Sequence, residues 1–162
     1  GEPAYHPLAE TPQPVDDEVI KIKSRAGRPD CLFFEASGSR CRIYTDRPLE
    51  CRILRCWDTR ELEENYTRDR LTRQALLSGA SVWWDLVVEH ERRCDFRRVY
   101  TLLCRESFCG ELEEMVRYDA CIRELAVAKG RLNPELLDFL FGRPLARTVA
   151  DLQRYVRDGG KI

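Results

Sequence analysis

Beyond Asp58, apolar residues recur at intervals of three and four and the breaks carry Gly or Pro, the pattern of amphipathic helices packed on a common core. Thr59–Tyr66 and Arg68–Ser78 read as charged amphipathic segments ended by Gly79. Ser81 stands as the cap of a strong helix running from Val82 to about Arg93, with Val82, Trp83, Leu86 and Val87 apolar. After a break near Asp95, helical spacing resumes through Phe96, Val99, Tyr100, Leu102 and Leu103. Glu111–Lys129 is the longest clean helix, with Leu112, Met115, Val116, Ile122, Leu125 and Ala126 inward and Gly130 as its stop. Asn133-Pro134 is a cap followed by a first-turn proline, and Thr148 is expected to cap a last helix reaching about Arg157.

The first third of the chain is patterned differently. Pro3, Pro7, Pro12 and Pro14, followed by Asp16, Asp17 and Glu18, predict an extended arm over residues 1–18. Val19–Lys23 alternates enough for a short strand with Ile20 and Ile22 on one face. Cys31–Phe34 and Cys41–Tyr44 are short apolar runs flanking Ser37-Gly38-Ser39, which predicts a β-hairpin that sets Cys31 near Cys41. Pro48 then favours a helical turn carrying Cys51. The expected fold class is mainly α: a single multi-helix domain of five to seven helices. An arm (1–18) and a small irregular Cys-rich lobe with a short β-hairpin (19–57) precede the helical body (58–158).

Composition narrows the function classes. Basic and acidic residues number 27 and 28, so no overall basic field attracts nucleic acid or anionic lipid. No apolar run approaches the roughly 20 residues that span a bilayer. Neither a nucleic-acid partner nor a membrane segment is expected. The chain opens on Gly1 and its one methionine is Met115, so it is expected to be processed, tag-trimmed or part of a longer protein. Eight cysteines are many for such a chain, and a domain this long has no need of disulfides. Free thiols and metal, and hence a cytoplasmic setting, are the expectation.

The chemistry concentrates between Cys31 and Trp57, where Cys31, Cys41, Cys51 and Cys56 follow one another in steps of ten, ten and five. Thiols gathered this way hold a metal, form disulfides, or pack as small apolar groups. A tetrahedral zinc takes four N or S ligands and an iron–sulfur cluster usually four thiolates. On a helix Cys51 and Cys56 would stand about 140° apart, so at least one must leave the helix to share a site.

Cys31, followed by Cys41, Ile43, Tyr44, Arg47, Pro48, Cys51 and Arg52, resembles the YkgJ-like (CxxCxxCC) cysteine-cluster family of zinc- or iron-chelating domains. Its pattern there is a Cys, about ten residues, then C-x-I-Y-x-x-R-P-x-x-C-R, and the resemblance covers about residues 17–60. It implies zinc or iron as cofactor, an iron–sulfur cluster included, on these cysteines. The family's CxxCxxCC box lies upstream of this segment and is not in this sequence, which again points to a longer protein.

Outside that stretch, His90 and Cys94 form an H-x-x-x-C pair on one helical face, a spacing suited to chelation. The alternative is a His90 polar contact and a Cys94 packed in the core. The candidate metal ligands are therefore Cys31, Cys41, Cys51, Cys56, His90 and Cys94. Cys104, Cys109 and Cys121 are expected to pack. Arg92-Arg93 and Arg97-Arg98 read as surface ion pairs, and Arg47 and Arg52 either favour thiolates or pair with nearby acids. No phosphate-binding loop, dinucleotide fingerprint or nucleophile elbow occurs. The expected function is cysteine-cluster metal binding. Alternatives are a metal- or iron–sulfur-dependent redox or transferase enzyme, and a helical interaction domain with structural cysteines.

Overall fold

The computed structural model describes residues 3–5, 12–14, 18, 20, 22, 24–25, 28, 30–66, 68–104 and 110–157. In chain order the elements are β1 (Pro3–Tyr5), β2 (Pro12–Pro14), β3 (Phe34–Glu35), β4 (Arg40–Cys41), α1 (Leu49–Ile53), α2 (Arg60–Asn65), α3 (Arg73–Leu76), α4 (Ser81–Arg93), α5 (Phe96–Cys104), α6 (Gly110–Ala128), α7 (Leu137–Phe141) and α8 (Leu145–Arg157). The protein is mainly α. Several of its helices are single turns, α3 and α7 among them.

The chain divides into two compact units: Val19–Leu71, and Gly1–Glu18 with Thr72–Ile162. The Cys-rich unit thus extends past residue 57 and takes in α2, which packs beside α1. In the helical unit, α4 contacts α6 and α7, and α6 contacts α8.

Two apolar clusters build the helical unit. One gathers Cys94, Val99, Leu102, Leu112, Met115, Leu145 and Val149; the other gathers Val87, Ala126, Leu140 and Phe141. Along α4 the order is Val87, His90, Cys94, and along α6 it is Met115, Asp119, Arg123, Ala126. The reversed order makes α4 and α6 antiparallel, with a buried polar layer between two apolar ones.

Several expected boundaries moved. The arm is not simply extended: β1 pairs antiparallel with β2, in register Pro3 with Pro14 and Tyr5 with Pro12. Proline lacks the N–H of an inner strand but is tolerated in an edge pair. Ile20 and Ile22 are exposed and in no strand; Val19, Lys21 and Lys23 lie outside the described residues. The helix expected over Arg68–Ser78 shrinks to α3, because Asp69 takes a left-handed φ of 46° and Thr72 caps afresh, its side chain accepting from the Ala75 amide. Thr148 is not a cap. It is buried three residues inside α8, whose first turn bonds back to the Pro144 carbonyl. The start of α4 is framed by Ala80, whose carbonyl accepts from the Trp83 and Trp84 amides.

Gly130, just past the end of α6, is needed for space and not for a left-handed φ. That conformation falls on Arg131, at φ 54°. A Cβ on residue 130 would sit 2.6 Å from the Ala126 carbonyl oxygen and 2.6 Å from Cη2 of Trp83. Gly130→Ala is therefore expected to lower stability by about 1–3 kcal/mol, read as a lower urea midpoint. An unchanged midpoint would mean that Trp83 yields freely.

Candidate metal centre

The Cys-rich unit positions its sulfurs by backbone turns. Ser24 and Cys31 form an antiparallel bridge, and between them the Arg25 amide donates to the Asp30 carbonyl at 3.1 Å. The Arg28 guanidinium binds Asp30 at 2.7 Å and holds that carboxyl below its ordinary pKa. The chain then turns tightly over Cys31. The Phe34 amide donates to the Cys31 carbonyl at 3.0 Å, and the Phe33 amide donates to Cys31 Sγ at 3.4 Å.

From that turn β3 runs into β4, joined by a 3-10 turn over Ala36–Gly38 with Ser39 left-handed. The register sets Cys41 opposite Phe34. The Arg42 amide extends the ladder to the Phe33 carbonyl at 2.9 Å, and its guanidinium reaches the Leu32 carbonyl. A turn closed by the Asp46 amide on the Ile43 carbonyl leads to Pro48, which serves as the N-cap of α1. Cys51 sits in the middle of that helix.

These three pieces bring Cys31 and Cys41 within electrostatic reach of Cys51. The Cys51 thiol is held above its ordinary pKa first by burial, although part of the side chain is exposed. Charge on Cys31, Glu50 and Cys41 raises it further, and Arg47 opposes. Arg47 is fixed nearby: it donates to the Tyr44 carbonyl at 2.9 Å and lies 3.8 Å from the centre of the Tyr44 ring. Cys56 lies on the turn closed by the Arg55–Asp58 bridge, exposed beside Trp57.

Cys31, Cys41 and Cys51 are free thiols, and soft sulfur donors suit zinc or iron. Among the described residues, however, no three His, Cys, Asp or Glu groups are placed so as to hold a metal ion. The donors fit in chemistry; as placed they do not form a ligand set.

The other two candidates belong to the helical unit. His90 is 5% exposed and its Nε2 makes a 2.8 Å hydrogen bond with Asp119 Oδ1. Its ring lies against Tyr118 and Phe141. Cys94 is buried in the first apolar cluster, where its thiol donates to the Met115 carbonyl at 3.7 Å. Burial, then the charge of Asp119, pushes that thiol up to about 12, so it stays protonated at neutral pH. The shared face of the H-x-x-x-C pair thus serves hydrogen bonding and packing. Cys121, expected to pack, is exposed on α6; Cys109 lies outside the described residues. Glu89 binds both Arg92 and Arg93, and Arg98 binds Glu111, the surface ion pairs expected for these basic runs.

Sequence reading passed over Asp119 and Arg123. Both are buried, and they centre a network joining four elements. Asp119 Oδ1 accepts from His90 and from Arg123 Nε at 2.9 Å, and its Oδ2 accepts from the Leu145 amide at 2.9 Å, capping α8 from a distant helix. Arg123 also donates to the Phe141 and Gly142 carbonyls at the end of α7. A signal was present: Leu112, Met115, Asp119, Arg123 and Ala126 share one face of α6, so two charges fall inside an apolar stripe. No family model, curated protein or solved structure matches this chain.

Proposed function

We propose that this protein binds a thiophilic metal, zinc or iron, through Cys31, Cys41 and Cys51. The observation that carries the reading is that four free thiols, Cys31, Cys41, Cys51 and Cys56, fall in one compact unit, on a tight turn, a strand, a helix and a second turn. The N–H bond to Cys31 Sγ adds to it, since it orients that sulfur on the turn. So does the resemblance of the same stretch to metal-chelating cysteine clusters. Cys56, on the neighbouring exposed turn, is the next candidate ligand. A bound iron–sulfur cluster would colour the protein brown, whereas zinc leaves it colourless.

The test is elemental analysis of anaerobically purified protein, followed by titration of the reduced chain with zinc(II) and iron(II) against a chromophoric chelator. Saturable binding of either ion that outcompetes the chelator is expected. Absence of binding for both would overturn the proposal. Cys121→Ala serves as control: its exposed side chain should change stability by no more than about 0.5 kcal/mol and leave the metal in place. Loss of metal in that variant would move the site to the helical unit.

A further inference from the structure

The Cys-rich unit has little to hold it folded by apolar burial. Among its described residues Ile53 is the one buried hydrophobic side chain, while Leu32, Tyr44, Leu49, Leu54, Leu71 and Trp57, the last 85% exposed, face solvent. Its helices α1 and α2 have 5 and 6 residues, and its strands β3 and β4 have 2 each. Isolated helices shorter than about 12 residues are marginal in water. Units below about 70–80 residues draw only a few kcal/mol from a core, and natural ones add disulfides or a structural metal. Here Cys31, Cys41, Cys51 and Cys56 are all free thiols, so no disulfide supplies the staple.

Cys31, Cys41 and Cys51 lie on separate pieces of this unit: the turn over Cys31, strand β4 and helix α1. An ion gripping all three would tie together pieces that share almost no core. Resting on the metal-binding reading above, we propose that the metal is the structural staple of Val19–Leu71: this unit is ordered by metal, while the helical unit keeps its fold without it. The helical unit has what the other lacks, two apolar clusters joined by a satisfied polar layer.

Hydrogen–deuterium exchange on the full reduced chain tests this, first stripped by chelator and then with zinc(II), or with iron(II) under anaerobic conditions. With free metal about a hundredfold above its Kd, amides within Cys31–Trp57 should exchange up to about a hundredfold more slowly. Those of α4 and α6 should not change. Cys51→Ser with metal should behave like the stripped protein over Cys31–Trp57, and retained protection of α6 would show that the variant is still folded. Metal bound with no change over Cys31–Trp57 would overturn the staple and leave the metal site standing. Equal slowing in α4 and α6 would overturn the selectivity claimed here. Neither metal bound would remove both the staple and the metal-binding reading.

Discussion

Asp119→Ala is expected to cost about 3–5 kcal/mol, a large share of the 5–15 kcal/mol that holds a typical domain folded. The carboxylate is 2% exposed and serves three donors at once: His90, Arg123 and the Leu145 amide. Removing it strands a guanidinium that is 8% exposed, an unpaired imidazole and an uncapped helix. Urea unfolding followed by helical circular dichroism reads the effect. A loss below about 1 kcal/mol would mean that the Phe141 and Gly142 carbonyls satisfy Arg123 by themselves.

The same carboxylate gives the unit a defined acid response. Burial alone would raise the Asp119 pKa, but the hydrogen bonds from His90 and the Leu145 amide, with the charge and hydrogen bond of Arg123, outweigh it and hold it below the ordinary value. A folded-state pKa that is depressed contributes stability present above the unfolded value of about 3.9. That contribution is lost as pH falls through the lower folded value. Asp119→Asn should therefore flatten the decline of stability below about pH 4. A decline as steep as in the parent would assign the acid response to other carboxylates.

The helical body was legible because its apolar positions recur at helical spacing, and α4 and α6 lie close to where Val82, Arg93 and Glu111 placed them. What escaped was set by tertiary contact. Thr148 looked like a cap because Thr is a good one, but the α8 amide at Leu145 is taken by Asp119 from another helix, which no local pattern encodes. His90 and Cys94 do share a face; facing Asp119 and the Met115 carbonyl, that face is used for packing. In the Cys-rich unit the hairpin was readable from Ser37-Gly38-Ser39. The inclusion of α2, and the near-absence of buried apolar residues, depend on which side chains the fold covers.

Cys51→Ser should weaken binding of zinc or iron by more than about a hundredfold. Even loss of an outer-shell partner costs 10–100-fold, and this change removes a sulfur ligand itself. Cys51 is the candidate ligand held on helix α1, following in the chain the strand that carries Cys41. Ligation by a thiol also gives the binding a sign in pH. The thiol must lose its proton to bind, so metal affinity should rise with pH through the neutral range and fall in acid. Serine keeps the shape but has no proton to release in this range, so the pH dependence of the remaining affinity should be shallower in the variant. Competition titrations at several pH values check both. Equal affinity in parent and variant would take Cys51 out of the site. A hundredfold loss with an unchanged pH slope would mean that Cys51 matters through packing in α1 and that Cys31 and Cys41 carry the proton release.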